Sequence, residues 1–213
     1  MTRADPGLLR AGKMAELLEP TGEWVFVDIG FSARGKTCGY LRTDVGTDST
    51  IGRAAALTYG ELTREISALV QVPGPPLHLV LEAPLSAVFG PEGNPMGRTG
   101  ERRGSQTRYW YAGLGCAVLV ASLYLIKAIV DAGPRREVRL FEAMVTFKKR
   151  STAPTHEQDA EALWAAVSSG PGGRCRFIQP GPIDERVGTV LASTFALLGL
   201  DGQLPPIIQV IDP

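Results

Sequence analysis

Glu23-Trp24-Val25-Phe26-Val27-Asp28-Ile29-Gly30-Phe31-Ser32 is the stretch that decides the fold. After Glu23, apolar residues surround a single acid, Asp28, the composition of a buried strand. A carboxylate in such a run is costly unless it is paired, and a metal ion or a strong hydrogen-bond partner is the usual remedy. The next residues, Ala33-Arg34-Gly35-Lys36-Thr37-Cys38-Gly39-Tyr40-Leu41-Arg42, read as a tight turn and a second strand. The rest of the chain is therefore searched for side chains that would join Asp28.

With 213 residues the chain suits one sizeable core, a single domain over 1–213. A hydrophobic fraction of 44% with 21% charged residues is that of a folded globular protein. Lys+Arg and Asp+Glu both number 22, which argues against a polyanion-binding whole surface but leaves room for a local basic patch. Cys38, Cys116 and Cys175 are far apart and odd in number, so they form neither a zinc pattern nor a disulfide framework. A reducing cytoplasm is the expected compartment. Charges are spread through residues 1–19, unlike a signal peptide. Residues 109–126 are uncharged and barely long enough to span a bilayer. With Gly113, Gly115, Ser122 and three leading aromatics they read as a buried core helix, and no membrane association is expected.

In chain order, residues 7–19 read as a short amphipathic helix ended by Pro20, with strands at about 24–29 and 37–43. A short third strand fits within 45–51. Helical spacing runs from 53 to 71 through Ala54, Leu57, Leu62, Ile66, Leu69 and Val70, and Pro73-Gly74-Pro75-Pro76 stops it. Residues 77–82 form a further strand. Residues 85–108 carry five glycines and signal no regular structure, which predicts a mobile, functional loop. A helix over 109–132, a strand over 137–147 and a helix N-capped by Thr155 follow. A Gly/Pro-rich loop over 170–182, a helix over 183–200 and an extended piece over 204–211 complete the chain. The pattern is mixed α/β, an antiparallel hairpin first and alternating units later.

Three acids take matched places: Asp28 in the first strand, Glu82 closing the strand after the helix, and Asp159 opening a later helix. His156 and Asp159 are three residues apart and share one helix face, with Leu163 a turn further on. The order of elements, Asp28-x-Gly30 with its hairpin, Glu82-Ala83-Pro84-Leu85 and His156-x-x-Asp159-Ala160-x-Ala162 together resemble the RNase H-like superfamily. By the last motif the chain is closest to RuvC-type nucleases, and the first two also resemble a group of poorly characterised RNase H-like proteins. The resemblance covers about residues 23–168 and leaves 170–213 outside it. It implies an RNase H-like mixed sheet flanked by helices, and a nuclease that uses Mg2+ or Mn2+, two ions, to hydrolyse phosphodiesters with metal-activated water. Asp28 would bridge both ions, Glu82 and Asp159 would each hold one, and His156 would be a ligand or orient the water. Glu142 is a further candidate. Arg34, Lys36, Arg102, Arg103, Arg108, Lys148, Lys149 and Arg150 would meet phosphates of DNA or RNA. Tyr109, Trp110 and Tyr111 would stack on unpaired bases. RuvC-type enzymes are paired to cut junctions, which raises a homodimer.

Two other readings use the same residues. Gly30-Phe31-Ser32-Ala33-Arg34-Gly35-Lys36-Thr37 matches G-x-x-x-x-G-K-[ST], the phosphate loop of nucleotide hydrolases and kinases. That loop needs a helix starting at Lys36-Thr37, whereas Cys38-Gly39-Tyr40-Leu41-Arg42-Thr43 is poor helix material. The Asp28-x-Gly30 hairpin also resembles the phosphate loop of actin-like kinases, which generally need a second copy that 213 residues do not hold. A non-catalytic RNase H-like subunit of a larger assembly is the third alternative. Helix after Thr37 would favour the phosphate loop and strand the nuclease.

Overall fold

In the computed structural model, Gly22–Asp28 is a central strand with neighbours on both sides. The structure describes residues 8–31, 35–45, 52–89, 92, 94–98, 100–103, 105–107, 109–146, 155–173, 175–180 and 204–211. Strand β1 (Leu9–Ala11) and helix α1 (Met14–Leu18) precede β2 (Gly22–Asp28), β3 (Cys38–Val45) and β4 (Ala55–Leu57). Helix α2 (Tyr59–Gln71) leads to β5 (Leu77–Glu82), and two small hairpins follow, β6 (Val88–Phe89) with β7 (Pro95–Met96) and β8 (Arg102–Arg103) with β9 (Gln106–Thr107). Helix α3 (Gly115–Ala132), β10 (Val138–Thr146), α4 (His156–Ser169), β11 (Cys175–Ile178) and β12 (Ile207–Ile211) complete the described elements.

The main sheet runs β11-β12-β10-β5-β2-β3-β4, with β1 also on β10. Strands β2, β3 and β4 are antiparallel neighbours, whereas β2, β5, β10 and β12 are mutually parallel. Strand β10 is long enough to serve two partners on one edge: β1 meets its start at Val138–Leu140 and β12 its end at Glu142–Thr146. Strands β2 and β5 are buried on both faces, which is why they are near-continuous apolar runs.

Side-chain alternation divides the core into two layers. Val25, Val27, Leu77, Leu79, Leu81 and Leu140 face α2 and α3, which contribute Leu62, Ile66, Leu125 and Ile129. Trp24, Phe26, Val80, Phe141, Ala143 and Val145 face α4, which contributes Ala160, Leu163 and Val167. Helix α2 is capped by Thr58, whose hydroxyl accepts from Glu61 N at 3.2 Å while Glu61 accepts from Thr58 N at 2.8 Å.

Several expectations shift. The N-terminal helix is shorter than 7–19, because β1 takes Leu9–Ala11. The third strand lies at Ala55–Leu57, inside the span expected to be helical, and residues 46–51 fall outside the described ones. The segment after β5 is partly built into the protein: Leu85, Ser86, Ala87, Glu101 and Trp110 are buried. Helix α3 starts at Gly115, since residues 109–114 form turns. It is not a fully buried core helix. Leu119, Ala121, Leu125, Ile126 and Ile129 are buried, but Leu114, Val120, Tyr124 and Val130 face outward. By length and composition α3 is long and apolar enough to cross a membrane, and 28% of it is buried. The loop expected over 170–182 contains β11, and the extended piece over 204–211 becomes β12, so the tail widens the sheet. The helix expected over 183–200 lies outside the described residues.

Candidate metal centre

Asp28 ends β2 on the same face as Trp24 and Phe26, and thus toward α4. Glu82 ends β5 in direct register with it, on the same face as Val80. Helix α4 comes in from above. Thr155 caps it by accepting from Gln158 N at 3.4 Å, and Gln158 Oε1 accepts from Thr155 N at 2.8 Å. Leu163 and Val167 anchor the helix in the core, which fixes the direction of its first turn, where His156 and Asp159 lie.

His156 Nδ1 sits 2.7 Å from Asp28 Oδ2. Asp28, His156 and Asp159 each offer one ligand atom, and these atoms all lie within 4.8 Å of one another. Asp28 is 3% exposed and Asp159 0%, so two carboxylates share a buried spot. Like charges at this range repel strongly unless a proton or a cation intervenes. An imidazolium at His156 or a divalent cation would offset that repulsion. The donor set fits such an ion: carboxylate oxygens suit Mg2+ and Mn2+, and the imidazole inclines the set toward Mn2+.

Two glycines let the helix come this close. A Cβ on Gly39 would lie 1.9 Å from the His156 carbonyl oxygen, and one on Gly30 would lie 2.1 Å from Thr37 O and 2.5 Å from His156 Nε2. Any larger residue at 39 would push the first turn of α4 off β3. In the sequence Gly30 reads as part of the Asp28-x-Gly30 hairpin motif and Gly39 as part of its second strand; that they admit α4 depends on how the helix docks.

Glu82 is outside the three-residue cluster. It is half-buried and accepts from Val145 N at 3.3 Å. It does line the same cavity as Asp28 and His156, a space of about 640 Å3 whose other walls include Ile29, Pro84, Arg98, Tyr109, Trp110, Leu114, Val118 and Met144.

Glu142 is not part of the cluster either. Alternation along β10 turns it away from α4, and it is fully buried, accepting from Ser86 N and from Arg98 Nη1. Arg98 Nε also donates to Glu101 Oε1 at 2.9 Å, and that oxygen accepts from Trp110 N at 2.6 Å. Burial pulls the Arg98 guanidinium below its ordinary pKa, and the Glu101 hydrogen bond and nearby Glu82 oppose the shift. This buried Arg98–Glu101–Glu142 group fastens the segment after β5 to the sheet. The sequence showed Arg98 as one arginine in a Gly-rich stretch, with no sign that it would be buried.

The basic residues expected to meet phosphates are mostly not placed. Arg34, Arg108, Lys148, Lys149 and Arg150 lie outside the described residues, as does the side chain of Arg103. Arg102 is exposed. Lys36 is exposed and lies 3.5 Å from Glu61. Trp110 is a core residue, 4% exposed with Nε1 donating to Met96 O, and so offers no open base platform. Tyr109 and Tyr111 stack on each other at a centroid distance of 4.9 Å.

After Lys36-Thr37 comes strand β3, antiparallel to β2, so the helix N-terminus that a phosphate loop requires is not at that position. No protein-family model, curated protein or solved structure matches this chain.

Proposed function

We propose that the chain is a divalent-metal-dependent nuclease built on an RNase H-like core. The observation that carries this reading is the meeting of Asp28, His156 and Asp159 within 4.8 Å, at the end of the central strand and beside an open cavity. The sheet supports it. Counted from β2 and leaving aside the β1, β11 and β12 additions, the strand order is third, second, first, fourth, fifth, with the second strand antiparallel to the first. That arrangement agrees with the RNase H-like resemblance of the sequence.

In this reading Asp28, Asp159 and His156 would hold one ion, and Asp28 with Glu82 would hold a second. Bound there, Mg2+ or Mn2+ would activate a water and stabilise the leaving oxygen of a phosphodiester. The chain's own residues do the positioning. Asp28 is fixed by its place in a fully paired strand. Asp159 is fixed by the buried face of α4. His156 lies at the rim, its side chain 41% exposed, where it reaches both Asp28 and incoming substrate or water. Glu82 is steadied by the Val145 N–H.

The test is a cleavage screen over single-stranded, duplex and branched DNA and RNA with Mg2+ or Mn2+. Metal-dependent cleavage lost in a folded Asp28→Asn variant supports the reading. Asp159→Asn should act like Asp28→Asn, and His156→Ala should lose less. Cleavage that survives Asp28→Asn removes the site assignment.

A further inference from the structure

The cavity beside the acids brings two unlike surfaces together. Its lining is of two kinds: Asp28, Glu82 and His156 are polar, whereas Tyr109, Leu114, Val118, Ile29 and Pro84 are apolar. Its volume of about 640 Å3 lies within the range of pockets that enclose a small organic group, about 300–1,000 Å3. A continuous duplex is held differently, along its phosphates by a track of cations. Among the described residues lining this cavity, the lysine and arginine side chains are represented by Arg98, and it is committed to Glu101 and Glu142. The apolar lining of Tyr109, Leu114 and Val118 suits a flat, weakly polar ring.

The aromatic wall is buttressed by neighbouring rings. Tyr109 stacks in parallel on Tyr111, and Trp110 meets Tyr111 and Phe89 edge-on. Gly97 packs against the Tyr109 ring, where a Cβ would come within 2.9 Å of Cε1. Tyr109 still keeps 44% of its surface exposed and Leu114 keeps 75%, so both have area to give to a ligand.

Resting on the nuclease reading, we propose that this cavity takes one unpaired base of the substrate, next to the phosphodiester held at the acids. A base inside a duplex has both faces covered by its neighbours and must leave the stack to enter a concave site, which is easiest in a single strand. The substrate class is therefore single-stranded nucleic acid, or a duplex end or junction with unpaired nucleotides.

The experiment uses the full chain and an oligonucleotide carrying 2-aminopurine, with Ca2+ to allow binding, and the same oligonucleotide with Mn2+ to follow cleavage. The wild type should change the fluorescence of the single strand and not of the matched duplex. Tyr109→Ala should weaken single-strand binding about tenfold, the scale of one lost stacking contact. Leu114→Asp, at a largely exposed position, should weaken it without threatening the fold, and circular dichroism checks both variants. If no substrate is cleaved but binding follows this pattern, the base site stands and the nuclease reading falls. If cleavage occurs with equal rates on single strand and duplex, and neither variant changes binding, the base site is overturned while the nuclease reading stands. Absence of any binding by the wild type also overturns the base site.

Discussion

Replacing Arg98 by Met removes a cation whose side chain is 10% exposed and leaves two carboxylates, Glu142 at 0% and Glu101 at 2%, without it. Methionine keeps the stem's volume, so the change is mainly electrostatic. Each acid keeps backbone donors, Ser86 N for Glu142 and Trp110 N for Glu101, but the balance of charge is lost. Removing one partner from a buried ion pair typically costs about 3–5 kcal/mol. Against a total stability of about 5–15 kcal/mol, that leaves a folded but weakened protein. A chain of this size should lose roughly 10 °C in Tm. Urea unfolding followed by tryptophan fluorescence measures the effect at pH 7 and again at pH 5. Protonation of a stranded carboxylate removes an uncompensated buried charge, so the deficit should shrink as the pH falls. Adding Glu142→Gln, which keeps an acceptor for Ser86 N without the charge, should recover part of the loss. A loss below about 1 kcal/mol, or a deficit that grows on acidification, would refute the reasoning.

Three further predictions concern other parts of the molecule. Gly39→Ala places a methyl against the His156 carbonyl and should cost about 1–3 kcal/mol by overpacking while weakening divalent-ion binding; unchanged binding would mean that α4 does not need that approach. Burial lowers the pKa of His78, whose Nδ1 lies 3.1 Å from Glu23 O and whose ring stacks on Trp24 at 4.3 Å. The unfolded chain then binds the extra proton more readily, so stability should fall as pH drops below the ordinary value of 6.5, and His78→Phe should flatten that slope in unfolding curves. Glu137 has its pKa lowered by the Arg139 hydrogen bond, with burial acting against it and Arg10 adding to it. Its contribution is present above the ordinary value of 4.5 and lost as the pH falls through the lowered one, so the protection of β1 amides, measured relative to their intrinsic exchange rates, should fall under acid, and less so in Glu137→Gln.

The sheet was legible where composition left little choice. The runs 24–28 and 77–82 can be buried on both faces and nothing else, and each ends in an acid. His156 and Asp159 were legible as a pair because helical spacing alone puts them on one face, and the capped helix begins where Thr155 predicts. Strand β4 was not legible, because Ala55-Ala56-Leu57 fits helical spacing equally well and becomes a strand by pairing with β3. The same holds for β12, whose role depends on a free edge of β10 far away in the chain. Glu142 looked like a ligand because an acid in an apolar strand needs a partner; the partner is Arg98, which comes from a Gly-rich segment with no periodic signal. Residues 109–114 share the apolar character of α3, but Gly113, at a φ of 64°, breaks the helix before it starts.

The central claim is that Asp28, His156 and Asp159 bind a divalent cation, and a Mn2+ titration of the purified protein, followed by calorimetry or by the loss of the free-ion resonance signal, tests it most directly. The wild type should show saturable binding, and folded Asp28→Asn and Asp159→Asn variants should bind at least about tenfold more weakly. Wild-type protein without saturable binding, or variants that bind as well as it does, would contradict the account.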